Sequence, residues 1–226
     1  MEITLNKAKI SDSTKWIMHA WALFKKGWSF WIGYTVVLAI MTLAPALIGD
    51  QSLRTSAMAM INVIAILLSA GVIQVSANCD ADIPCDVGTL LSWFSTGLAT
   101  KLLPVIVIAI GFSVLKMAYA TTGFSGFMAI EFIGRLVYGA LAMFVIPLIV
   151  LRGLSFRDAL EISARGVWHN AIPIMGFSVL MIALIVVSII PFGLGLMITM
   201  PLAILSGYTM FYGIFPSAAV TKGGIK

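Results

Sequence analysis

Charge is what this sequence has least of. Nine acidic and 14 basic residues stand among 226, a charged fraction of 10%. Soluble domains carry about a quarter charged residues, so much of this surface has to face something other than water. Histidine occurs twice and cysteine twice, too few for a metal-binding tract or a disulfide framework. There is no dense run of Lys and Arg, so the net charge of +5 reads as basic residues beside a membrane and not as a nucleic-acid surface. Also missing are a nucleophile–base–orienter set, a zinc-protease pattern, a phosphate loop and a redox dithiol motif. The expectation is a protein that is not an enzyme, with no cofactor, no resident metal and no nucleic-acid partner.

What fills the sequence is apolar. Hydrophobic residues make up 61% of the chain, and the mean hydropathy is +1.07. The reading is an all-α polytopic membrane protein, one integral domain over residues 1–226. The first apolar run starts only near Trp28 and passes Leu47 without an Ala-x-Ala pattern, so no cleavable signal peptide is expected.

Six spans are predicted at about 28–48, 56–77, 101–119, 127–151, 171–190 and 196–216, paired as three hairpins. A short amphipathic helix precedes each hairpin, over 14–27, 89–100 and 155–168, and these three are expected to lie on the cytoplasmic interface. In the first, Trp16, Ala20, Leu23, Phe24 and Gly27 share a face. The second is capped by Asp86 and continues through Leu90, Leu91, Phe94, Leu98 and Leu102. The third opens with Ser155-x-x-Asp158, a capping-box variant, and gathers Phe156, Ala159, Leu160, Ser163, Ala164 and Val167 on its apolar or small face. Residues 1–12 are polar and aperiodic, and read as poorly ordered.

The units, about 13–77, 86–151 and 155–216, align at the junction of helix and span. There Phe30, Pro104 and Pro173 correspond, 74 and then 69 residues apart. This reads as a threefold internal repeat, against the alternative of three generic hairpins. Pairing the spans returns both termini to one side together with 11 of the 14 basic residues, leaving Arg54, Lys116 and Arg135. Cytoplasmic loops carry the basic excess, so that side is expected to be the cytoplasm of a bacterial inner membrane.

Three charged residues are predicted inside the spans. Glu131 and Arg135 stand four apart, acid first, the better order for a helical pair. Lys116, near the end of the third span, is expected to approach them across a turn. Ionisable residues at membrane depth mark cavities, ion paths or substrate sites, while a structural pair or snorkelling side chains is the plainer account. Cys79 and Cys85, with three nearby aspartates, are weak metal candidates; at C-x5-C spacing they are expected to be free thiols in a reducing compartment. Asn62 and Gln74 read as hydrogen-bond partners between helices, Ala65/Ser69 and Ala203/Gly207 as small-residue contacts, and His19 and His169 as anchors among interfacial tryptophans.

Trp21-x2-Phe24-Lys25 before the first span, Ala159-Leu160-x2-Ser163 leading to Asn170 before the fifth, and Leu194-Gly195-x5-Pro201 with Tyr208 and Tyr212 in the sixth carry a resemblance. The chain resembles a family of small six-span proteobacterial inner-membrane proteins of unknown function. More distantly, it is similar to the YciC-type proteins and to the membrane domain that accompanies some glycerophosphodiesterases. The resemblance implies six spans and an inner-membrane address, and it transfers no catalytic or binding residue. Two functions are expected from the sequence. The first is a non-enzymatic accessory, assembly or envelope-maintenance role through contacts with membrane lipid, a protein partner or a second copy of the chain. The other is a small transporter, channel or lipid-moving protein with a polar site around Glu131 and Arg135.

Overall fold

In a computed structural model, the chain is described over residues 5–92 and 97–216. Every regular element among the described residues is helical: α1 (Asp12–Lys26), α2 (Trp28–Leu43) with a 3-10 turn (Ala44–Leu47), α3 (Gln51–Asp80), α4 (Val87–Leu91), α5 (Leu98–Thr122), α6 (Ser125–Leu141), α7 (Val145–Arg152), α8 (Phe156–His169), α9 (Ala171–Ile189) and α10 (Leu196–Ile214). Five segments are long and apolar enough to cross a membrane, and α6 with α7 makes a sixth if the two count as one span bent by 41°. The chain is therefore built as a membrane protein.

The ends of these helices follow local chemistry. The Asp50 carboxylate accepts from the Leu53 amide at the start of α3, and Asp86 accepts from the amides of Gly88 and Thr89 at the start of α4. Those two amides hold the exposed Asp86 carboxyl below the usual aspartate range. Ser155 caps α8 by accepting from the Asp158 amide, and its hydroxyl donates to the Asp158 carboxylate. The S-x-x-D pattern is thus a working cap.

One end of the bundle is densely tied, and we call it the proximal end. The Asn170 side chain, fully buried, accepts from the Ala8 amide at 2.8 Å and donates to the carbonyls of Asn6 and Gly166. Asn6 donates in turn to the carbonyls of Ile214 and Gly213. Residues 5–11 are therefore held between α8, α9 and α10, which corrects the expectation of a loose N-terminal segment. Its polar groups have partners that the sequence alone does not display. Lys101 donates to Gly153 and Arg152 to Phe215 at the same end.

Helix α1 buries Ser13, Trp16, Ala20, Leu23 and Phe24, nearly the predicted face. That face packs along the C-terminal half of α10. Trp16 is 5% exposed, and its indole reaches so close to Gly213 that a Cβ there would lie 2.4 Å from Nε1. The middle amphipathic segment differs from expectation. Within the described residues it is a five-residue helix, α4, whose backbone presses on Gly71 of α3, and α5 begins at Leu98. Phe94 lies outside the described residues. Helices α5 and α6 pack together, as do α9 and α10, whereas α2 touches α3 sparsely.

The predicted fourth span is broken. Residues 142–144 leave the helix between α6 and α7, and Pro147 supplies the reason: it has no N–H for the carbonyl of residue 143, and its ring crowds that carbonyl. The Phe144 amide released by the break donates to Ser163 Oγ on α8 at 3.0 Å, and both residues are buried.

Gly71→Ala would set a Cβ 2.0 Å from the Leu90 carbonyl oxygen, backbone against backbone. It should destabilise the detergent-solubilised protein by about 1–3 kcal/mol. Gly207→Ala, where nothing lies within 4 Å, should leave thermal unfolding unchanged or slightly raised.

Candidate functional site

Away from the proximal end the packing loosens, and the charged residues of the spans lie there. Helix α6 buries no residue at all. It packs chiefly against α5 and α8, with at most a marginal contact to α3, and α2 meets α5 and α6 no more than marginally among the described residues. The space left holds a cavity of about 350 Å³ lined by residues of α2, α3, α5 and α6, among them Thr42, Asn62, Ser113, Lys116, Glu131 and Arg135. A second cavity of about 280 Å³, with Ser69 and Ala109 in its wall, shares Asn62 and Arg135 with the first.

Along α3, the residues Thr55, Ala59, Asn62, Ile66 and Ser69 fall on the cavity wall at helical spacing. Asn62, eleven residues into α3 after Gln51, stands about 16 Å along the helix at 1.5 Å per residue. Directly after Ser69 comes buried Ala70, and one turn before Ala109 comes buried Val105. Leu102, Phe144 and Leu148, all 1% exposed or less, continue that core. The cavities therefore end on a dry hydrophobic floor on the proximal side.

The three predicted charges meet in the larger cavity. Arg135 donates from Nε at 2.8 Å to Oε1 of Glu131, and its Nη2 stands 2.6 Å from the same oxygen in an ion pair. The Glu131 side chain is 16% exposed and that of Arg135 52%. The guanidinium also rests over the Phe112 ring, 5.5 Å from its centroid. Lys116, an exposed side chain, makes no hydrogen bond or ion pair among the described residues, and neither does Asn62.

Two sequence readings change here. Asn62 is not a partner between helices but a cavity residue, and Gln74 pairs with Asn78 on its own helix. Ala65 and Ser69 of α3 share the wall of the second cavity with Ala109 of α5. The sequence does not single out Thr42, Thr55 and Ser113, although the spacing of Thr55, Asn62 and Ser69 places the latter three on one face of α3.

Cys79 and Cys85 are joined by a disulfide, which corrects the expectation of free thiols. The chain turns back after α3: the Asp82 amide donates to Cys79 and the Ile83 amide to Asn78. Asp82 takes a positive φ of 60°. This brings the two Cα atoms to 5.7 Å, within reach of a bridge. Lys26 donates to the Asp82 carboxylate at 2.6 Å and holds that exposed group below the usual aspartate range. With both sulfurs so joined, neither is available to a metal.

A second polar cluster sits at the proximal end. The Asp80 carboxylate meets His19 Nε2 at 3.0 Å and accepts from the Tyr208 hydroxyl at 3.2 Å. His19 thus links α1 to α3 instead of standing free among tryptophans. His169 bonds the Arg165 carbonyl within α8.

Compared with protein-family models, curated proteins and solved structures, the chain matches none.

Glu131→Gln should lower thermal stability in detergent by a small amount, about 1 kcal/mol or less, because Arg135 loses its counter-charge but stays half exposed. Exchanging the two residues should recover most of that loss. If Glu131→Gln unfolds like the native protein, the ion pair has no structural role.

Proposed function

We propose that this chain is a non-enzymatic membrane protein that holds a solute or a lipid headgroup in its polar cavity, in the class of small transporters, channels and lipid-moving proteins. The observation that carries the reading is the convergence of Asn62, Lys116, Glu131 and Arg135, from α3, α5 and α6, on one cavity. Ionisable groups cost roughly 2.5–3.5 kcal/mol each at the centre of a transmembrane helix on insertion scales, and less toward its ends, where these residues lie. Charges that served packing alone would be expected to pair completely. Lys116 does not pair, and a cavity with an unpaired cation suits a bound molecule better than a structural brace. An accessory role through protein contacts draws its support only from the amphipathic character of α1 and α8, and α1 spends its apolar face on α10.

The reading includes six spans, both termini in the cytoplasm and a bacterial inner membrane. The 11-to-3 basic asymmetry supports the orientation, and the resemblance to the six-span inner-membrane family supports the address. The cavity then faces the far side from the termini.

Two measurements test this. With Cys79 and Cys85 replaced by Ser, Asn62→Cys in intact spheroplasts should react with a membrane-impermeant maleimide, and Leu148→Cys should not. A silent Asn62→Cys means a dry cavity and ends the reading. Reporter fusions after Lys226 and within Asp50–Arg54 should report opposite sides of the membrane; the same side for both overturns the orientation.

A further inference from the structure

Donors and acceptors are unequally supplied in the larger cavity, and the imbalance selects a ligand. The hydroxyls of Thr42, Thr55 and Ser113 each donate to a backbone carbonyl one turn back on their own helices, those of Leu38, Gln51 and Ala109. They present only lone pairs to the cavity. The free donors are three: the Lys116 ammonium, the Asn62 amide, and the Arg135 N–H groups not engaged by the single Glu131 oxygen that Nε and Nη2 face. Two cations against one carboxylate leave the wall with a charge of +1.

A cationic ligand would meet that excess, and a neutral one would leave it uncompensated. A planar carboxylate offers two oxygens on one side, whereas three donors arrive from three helices. A phosphate offers several strong acceptor oxygens around a centre and suits convergent cations, with charge-assisted bonds stronger than neutral ones. The guanidinium is steadied from behind by the Phe112 ring. About 350 Å³ is ample for such a group with a small substituent. Between α2 and the α5–α6 pair helix packing is at most marginal among the described residues, and Pro45 and Met58 line that region, so an attached apolar chain has a way out sideways.

We propose that the cavity binds a phosphate ester anion, presented either as the headgroup of an anionic lipid or as a small free solute. The proposal rests on the preceding reading of the cavity as a wet binding site. The test uses the full chain, delipidated in detergent. In one arm, calorimetry follows glycerol 3-phosphate, with glycerol as the neutral control. In the other, native mass spectrometry of the protein from nanodiscs of equal phosphatidylglycerol and phosphatidylcholine measures which lipid is retained. Binding of glycerol 3-phosphate assigns the free solute, and several-fold retention of phosphatidylglycerol assigns the lipid.

In whichever arm binds, Lys116→Gln and Arg135→Gln should each weaken binding about tenfold, the size of one charge-assisted hydrogen bond. Glu131→Gln should tighten it, because the competing negative charge is gone and the amide oxygen that remains is a weaker acceptor for Arg135. Ala109→Phe, which adds bulk in the adjoining cavity and alters no charge, should weaken it while the protein still unfolds cooperatively. Equal retention of the two lipids with no glycerol 3-phosphate binding overturns the proposal. So does binding that Lys116→Gln leaves unchanged, or that Glu131→Gln weakens as much as Arg135→Gln does. Labelling of Asn62→Cys without any phosphate binding defeats this proposal alone; a silent Asn62→Cys defeats the preceding reading as well.

Discussion

The contact between α1 and α10 is the one on which the proximal half of the molecule depends. In hydrocarbon, helices gain little from hiding apolar surface from lipid, so association relies on close packing and on hydrogen bonds between helices. This contact uses both. Gly213 lets the Trp16 indole approach the α10 backbone, and the Thr209 hydroxyl donates to the Trp16 carbonyl at 2.8 Å. Asn6 then extends the contact to the last carbonyls of α10, groups that a helix end leaves without internal partners. Helix α10 is central as a result: 56% of its most apolar stretch is buried, against 17% in each of the other four spanning candidates.

That concentration of contacts explains where the cavity is. The core formed by Trp16, Leu102, Phe144, Leu148 and Phe211 occupies the proximal half, and α6 leaves it at the break before α7. The break costs α6 and α7 a continuous ladder, and Ser163 restores the bond lost at Phe144. Beyond it, α6 is held chiefly by α5 on the cavity side, so the polar side chains of α3, α5 and α6 face one another across open space instead of across packed methyl groups. A sealed distal half would have to bury Lys116 unpaired, at a penalty of several kcal/mol. Loose packing there is consistent with the residues present.

Periodicity made the amphipathic faces legible. The buried set of α1 is the predicted one, with Ser13 added and Gly27 outside the helix. Periodicity does not say what such a face meets, because a stripe that suits a headgroup layer also suits a neighbouring helix. Trp16 accordingly packs on α10 and His19 on Asp80 of α3, partners that the stripe itself does not name. The broken span had its signal in Pro147, yet Pro104 and Pro201 stand inside continuous helices, so a proline alone does not decide between a break and tolerance. The Glu131–Arg135 pair was readable from its spacing of four. Asn62 was not assigned correctly, because its neighbour depends on whether α6 packs against α3, and that is settled by tertiary contacts far along the chain.

Two compartment signals remain in opposition, and their physical bases differ. The basic asymmetry is a sum over 14 residues and reflects how loops are held back during insertion. The Cys79–Cys85 bond is a single local feature at the proximal end, and bridges persist mainly in oxidising compartments. Closing a loop of so few residues adds little to chain entropy, so the fold gains little from the bond itself. The turn is held independently by the amides of Asp82 and Ile83 and by the Lys26–Asp82 pair. The same backbone therefore seats two thiols as readily as one bridge, and a reducing cytoplasm would open the bond without unfolding the turn. If the termini are cytoplasmic, maleimide added to permeabilised cells without reductant should label Cys85, the accessible one of the pair, while Cys79 is buried. No labelling of Cys85 until reductant is added would place this face in an oxidising compartment and reverse the orientation of the whole chain.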